Sequence, residues 1–162
     1  MGKFQQAVTE SHRPRPHDPL VAERSGSEAN RRLAGTEMLL RRLHSCEDVR
    51  EAEVLVEHGL PGVADADWAE LRLAARVPDL DDLDLLHQDL VQAAMEAGSV
   101  CAAGGDDRPS VIAIPLPRES PGAIVLARLN GERFHPPEVR LLSLFAEHAS
   151  SSLRRFAVPV RV

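Results

Sequence analysis

The stretch that decides the fold is SVIAIPLPRESPGAIVLARL, residues 110–129. Two short and almost continuously apolar runs, residues 110–116 and 123–129, are joined by a link rich in proline, serine and glycine. This pattern is typical of a β-hairpin. Continuous apolarity predicts that both faces of the resulting sheet are covered.

The two predicted faces of this hairpin differ in side-chain size. The small set is Val111, Ala113, Ala123, Val125 and Ala127, and the large set is Ile112, Ile114, Leu116, Ile124 and Leu126. Because small side chains let helices approach closely, we expect the terminal helices on the small face. The helix predicted at residues 84–97 then lies on the large face.

Helical patterns surround the hairpin in the sequence. Apolar spacing predicts helix in residues 28–62, with a restart for which Ser45 is the expected N-cap. The glycines and proline of residues 59–62 predict its end. Pro136 opens a final helix with an apolar stripe, since proline is tolerated in a first turn. The remaining elements are a strand at 68–75, an acidic loop at 78–82, a helix at 84–97 and an edge strand at 99–102.

Length and composition predict one domain with short tails. The chain has 162 residues, of which 43% are hydrophobic and 3% aromatic, and its net charge is −6. Residues 1–27 lack apolar periodicity and predict a loosely attached tail, residues 28–156 a domain, and residues 157–162 a second tail. An acidic body argues against nucleic acid as a partner. The absence of a long apolar run, together with a polar start, predicts a cytoplasmic protein without a membrane contact.

The order of these elements resembles the GAF domain family over about residues 33–155. The residues that carry the resemblance are the strand at 110–116 that ends in Pro-Leu, the glycine-bearing strand at 121–126, and the helix start at 134–139 with its continuation to Ala149. The resemblance implies an α/β (α+β) fold, with a central antiparallel sheet that carries the terminal helices on one face and a smaller helix on the other. It also implies a non-catalytic regulatory module that acts in trans through protein partners and senses a small ligand.

The resemblance implies two sets of site residues. The ligand-pocket candidates are Leu86, His87, Leu90, Met95, Ile112, Ile114, Ile124, Leu126 and Arg128. Arg128 has the same side-chain parity as Leu126 and is placed to meet an anionic ligand, or else to reach solvent. The candidates for a homodimer interface are Leu39, Leu43, Val139, Leu142, Ala146, Ala149 and Leu153, for which packing on the chain's own sheet is the alternative.

Two further functions stay open at the level of the sequence. The first is an interaction or scaffold protein whose pocket is filled by its own apolar side chains. The second is a small thiol enzyme similar to the free methionine sulfoxide reductases, using Cys46 or Cys101. Cys46 precedes a predicted helix, where the pKa of a thiol falls. The histidines are scattered without metal-ligand spacing, so no metal and no other cofactor is expected.

Overall fold

The computed structural model describes the backbone of residues 19–73 and 85–156, and the side chains of residues 26–73 and 88–156. Within these ranges the chain is a mixed α/β domain. The helices are α1 (Pro19–Ser45), α2 (Val49–Ala64), α3 (Leu85–Ala97) and α4 (Pro136–Leu153), followed by a 3₁₀ turn (Arg154–Phe156). The strands are β1 (Trp68–Leu73), β2 (Cys101–Gly105), β3 (Arg108–Pro115) and β4 (Gly122–Arg128).

The predicted hairpin is confirmed as the centre of the sheet. The strand order is β1-β4-β3-β2 and every pair is antiparallel. Ile112 lies opposite Leu126 across the hairpin, and the Leu116 N–H donates to the Gly122 carbonyl at 2.9 Å where the link begins. A Cβ on Gly122 would lie 2.4 Å from the Arg72 carbonyl oxygen. Glycine at this position therefore lets β1 approach β4 closely.

The two faces of the sheet are covered as layers, but not in the predicted way. α1, α2 and α4 pack against the large side chains Ile112, Ile114, Ile124 and Leu126, and together form the helical layer. α3 packs against the small side chains Val111, Ala113, Ala123, Val125 and Ala127, which form the small face. The predicted assignment of helices to faces was wrong. Ile and Leu side chains fill the space between the sheet and the three helices. On the other face, the fully buried Ala94 of α3 packs directly on alanine and valine side chains.

The beginning of α1 also differs from the prediction. The backbone is helical from Pro19, so the helix begins inside the segment 1–27 that was predicted as a loosely attached tail. Residues 26–31 of this helix are exposed, and the Glu28 carboxylate accepts a hydrogen bond from Arg32 Nη2 at 2.8 Å. The parts of the predicted tails at 1–18 and 157–162 lie outside the described residues, as does the acidic loop at 78–82.

The ends of α2 were predicted at the wrong residues. Its N-cap is Asp48, whose carboxylate accepts the Glu51 N–H at 2.8 Å, while the Ser45 hydroxyl donates to the Arg42 carbonyl of α1. At the other end α2 runs through Pro61 to Ala64. The Pro61 carbonyl accepts the Ala66 N–H at 3.0 Å, which closes the end of the helix. No helix within the described ranges is both long and apolar enough to cross a membrane.

Candidate functional site

Arg128, at the end of β4, joins the sheet to the helical layer. Its side chain is 2% exposed, so the alternative in which it reaches solvent was wrong. Its guanidinium donates to the carbonyls of Ala64 (2.9 Å), Asp65 (2.8 Å) and Arg133 (3.1 Å), and to Glu138 Oε1 (2.8 Å). The predicted orientation, with Arg128 on the same face as Leu126, is confirmed. The anion that it meets is a carboxylate of its own chain.

Glu138 receives charge and hydrogen bonds from three parts of the chain. Besides Arg128, it accepts the His135 N–H at 2.8 Å and Arg32 Nη1 of α1 at 2.9 Å. Burial alone raises the pKa of Glu138, but the hydrogen bonds from Arg128 and His135 and the charge of Arg128 outweigh it and hold that pKa below its usual value. The ionised carboxylate thus ties α1, β4 and α4 together.

The sheet separates the predicted pocket residues. Ile112, Ile114, Ile124 and Leu126 are buried in the core below the helical layer, and Arg128 lies at the edge of that core. Leu90 and Met95 pack on the opposite side, against the small face. Leu86 and His87 belong to α3 by their backbone, and their side chains lie outside the described ones. The nine candidates therefore do not line one cavity.

Six of the seven predicted interface residues are core residues of the chain itself. Leu39, Leu43, Leu142, Ala146, Ala149 and Leu153 are buried, and Val139 is half-buried against the same core. The apolar stripes that contain these residues pack on the chain's own sheet, which was the alternative to a dimer interface. A second copy has to meet other side chains of these helices.

Four large apolar side chains on the helices of the helical layer are exposed. Leu33 is 51% exposed, Met38 54%, Val54 38% and Leu144 52%. These four residues form the outer helical face. The other large apolar side chains that are exposed in the described ranges, Trp68 and Leu129, lie at one end of the sheet. The apolar spacing that predicts α1 includes Leu33 and Met38 together with the core residue Leu39, so the pattern alone did not separate these exposed residues from the core.

A groove lies between α1 and α2 on the outer side of the layer. Two glycines bring the helices together: a Cβ on Gly59 would lie 2.4 Å from Leu39 Cδ2, and one on Gly35 would lie 2.9 Å from Val63 Cγ2. The space above this contact has a volume of about 480 Å³. It is lined by Arg42, Ser45, Cys46, Glu51, Val54, Leu55, His58 and Gly59, and is called the α1–α2 groove below.

The two cysteines are not arranged for thiol chemistry with each other. Burial raises the pKa of Cys46, and the charge of Glu51 raises it further, so the predicted lowering of this pKa was wrong. The Cys46 thiol donates to the Arg42 carbonyl at 3.4 Å. Cys46 packs against the core under the helical layer and Cys101 against the small face, so the sheet lies between the two sulfur atoms.

Comparisons with known proteins give the chain no family. No family model matches it, and no curated protein matches it either. The resemblance to GAF domains therefore rests on the residues quoted for it, while the structure shows a mixed α/β fold with a four-stranded antiparallel sheet.

Proposed function

We propose that this chain is a GAF-like, non-catalytic regulatory module that acts in trans through protein–protein contacts. Its contact surface is the outside of the helical layer, and its first partner is a second copy of the same chain. The layered arrangement, with α1, α2 and α4 on one side of the sheet and α3 on the other, supports the GAF-like part of this proposal.

The single observation that carries the proposal is the outer helical face. Leu33, Met38, Val54 and Leu144 each expose more than a third of their surface on three helices of one layer. Soluble proteins tolerate isolated exposed apolar residues, but a collection on one layer is typical of an interaction surface. Residues 26–31 of α1 are also exposed, which adds to the accessible surface of this helix.

Core packing favours an interaction module over a ligand sensor. The large side chains expected to line a pocket, such as Ile112 and Leu126, are buried against helices of the same chain. On the small face, α3 rests directly on Ala113, Ala123 and Val125, which leaves the described part of that face filled. Both observations support the alternative in which the pocket is occupied by the protein's own side chains.

Native mass spectrometry of protein purified gently from its own host tests this function. We expect a dimer whose mass is twice that of the chain, with no additional small molecule. A dimer that carries a stoichiometric small molecule would support a sensor and contradict the filled pocket. A monomer at every concentration tested would contradict self-association.

A further inference from the structure

The α1–α2 groove holds two opposite charges near one thiol. Arg42 lines the groove from α1, Glu51 lines it from α2, and Cys46 lies in the turn that joins the two helices. Besides burial, which raises its pKa most, the Cys46 thiol is affected by the charge of Glu51, which raises that pKa, and by the charge of Arg42, which lowers it. Both charged groups therefore lie near the sulfur atom of a single residue.

The fold leaves these two charges without a countercharge. The Arg42 guanidinium makes no hydrogen bond and no ion pair with any residue in the described ranges, and no ion pair joins it to Glu51. One oxygen of Glu51 accepts the Glu47 N–H at 2.8 Å, which holds the carboxylate in place. Arg155, another cation that acts on Cys46, already donates to two backbone carbonyls at the end of α1 and in the following turn. Arg42 and Glu51 are thus the groove's free pair of charges.

The α2 wall adds apolar surface beside Glu51. Val54, Leu55 and His58 follow Glu51 at the spacing that places residues on one face of a helix, and all four line the groove. The groove volume of about 480 Å³ falls in the range typical of small-molecule sites. A small ligand can therefore meet a cation, a carboxylate and apolar side chains in one place.

This combination of groups is complementary to an amino acid zwitterion. An α-amino acid carries a carboxylate and an ammonium on the same carbon atom, and arginine and glutamate are their respective charge-assisted hydrogen-bond partners. A simple anion would be repelled by Glu51, and a simple cation by Arg42. Cys46 adds no charge at neutral pH, because its pKa is raised above the ordinary value of a thiol.

We propose that the α1–α2 groove binds an α-amino acid with an apolar side chain, whose carboxylate pairs with Arg42 and whose ammonium pairs with Glu51. The apolar side chain of the ligand then packs on Val54 and Leu55. This inference goes beyond the proposed function, since self-association does not require it and the groove lies away from both faces of the sheet. Because exposed ion pairs contribute little, we expect a dissociation constant on the order of 1 mM. Such a ligand is lost during purification and leaves the expected native mass unchanged.

A nuclear magnetic resonance titration of the isotope-labelled full chain with L-leucine tests this site. We expect saturable shifts of backbone amide signals that are concentrated in residues 42–59. Isocaproate, which is leucine without its ammonium, and isoamylamine, which is leucine without its carboxylate, are the matched probes. Each loses one charged contact, so we expect each to bind about tenfold more weakly than leucine.

Two variants assign the charges of the groove. Arg42→Gln should weaken leucine binding about tenfold and remove its advantage over isoamylamine, which has no carboxylate. Glu51→Gln should weaken it similarly and remove the advantage over isocaproate. Arg41→Gln is the matched control, since the Arg41 side chain is 84% exposed on the same helix and lies outside the groove. Thermal unfolding of each variant shows whether it is folded.

The outcomes separate this inference from the proposed function. Signals of residues 42–59 that do not respond to leucine at concentrations well above 1 mM would overturn the site, and a dimer in the same sample would leave self-association intact. Equal binding of leucine and either probe would overturn the zwitterion as the ligand. A monomer that binds leucine with the expected variant effects would support the site and contradict self-association.

Discussion

The two faces of the sheet differ in the size of their side chains and in what covers them. On one face, Ile and Leu side chains meet three helices, and on the other, Ala and Val side chains meet α3 in the part of the chain that the structure describes. The same strands supply both faces, since neighbouring residues of a strand point to opposite sides. The thicker layer also carries the exposed residues Leu33, Met38, Val54 and Leu144 on its outside.

This difference shows that a sheet face built from small residues can be the one that packs closely against its helix. Small side chains suggested room for the terminal helices, yet α3 fills that room because it too contributes a small residue, Ala94. The large face is covered by three helices, whose outer sides face away from the sheet. In the proposed function, the inner side of the helical layer packs on the sheet and its outer side makes the protein contacts.

The largest expected effect comes from removing the Glu138 carboxylate, which holds the helical layer on the sheet through Arg128. Glu138→Ala leaves the guanidinium of Arg128, whose side chain is nearly inaccessible, without its carboxylate. Breaking a buried ion pair on one side costs about 3–5 kcal/mol of unfolding free energy, which urea denaturation measures. Glu119→Ala is the control, because it breaks the exposed pair with Arg154 and should cost about 1 kcal/mol or less. Equal losses in the two variants would contradict this role of Glu138.

Neighbouring residues of β4 allow the two faces to be compared directly. Leu126→Ala truncates a residue under the helical layer, and we expect a loss of about 2–5 kcal/mol. Val125→Ala truncates its neighbour on the small face and removes two carbon atoms, for about 1.6 kcal/mol at roughly 0.8 kcal/mol per carbon. A larger loss for Val125→Ala would mean that the small face, and not the helical layer, holds the dominant core.

A larger side chain on the small face shows whether that face is closed. Ala113 is fully buried below α3, so Ala113→Leu should overpack the contact and cost about 1–3 kcal/mol. Ala102→Leu is the matched control on the exposed side of the edge strand β2, where space is open. Thermal unfolding of both variants provides the comparison. If Ala113→Leu were neutral or stabilising, the small face would contain the cavity that a ligand sensor needs.

The smallest effect concerns pH. The pKa of Glu138 is lowered in the folded chain, so its contribution to stability is present above the ordinary pKa of a glutamate and is lost as pH falls through the lowered value. The free energy of unfolding should therefore decline on acidification below about pH 4.3, the usual glutamate pKa. In Glu138→Gln this part of the decline should be missing, as denaturation at a series of pH values would show. An identical decline in both proteins would assign it to other carboxylates.

Local patterns in the sequence predicted most elements of the fold. The hairpin followed from continuous apolarity around a proline-rich link, and α4 from Pro136 and its stripe. Apolar spacing also placed α3 within one residue of its observed start. These features depend on residues close together in the chain, where spacing and turn chemistry decide the structure.

What the sequence did not predict depends on residues far apart. Arg32 and Glu138 are 106 positions apart in the sequence, and no local pattern predicts that they form an ion pair. A glutamate three residues after His135 does indicate a capped helix start. The face to which each helix packs is likewise a property of the assembled layers. The α1–α2 groove arises from Gly59 of one helix lying on Leu39 of another, a contact that periodicity within either helix does not reveal.

Hydroxyl-radical footprinting of two methionines tests the central claim most directly. Met38 lies on the outer helical face, and Met95 lies on α3 against the small face. Their oxidation rates therefore report on the accessibility of both sides of the molecule in one experiment. We predict that oxidation of Met38 slows as the protein is concentrated from monomer to dimer, while oxidation of Met95 keeps its rate. Slower oxidation of Met95 with an unchanged rate at Met38 would contradict the assignment of the helical layer as the interaction surface.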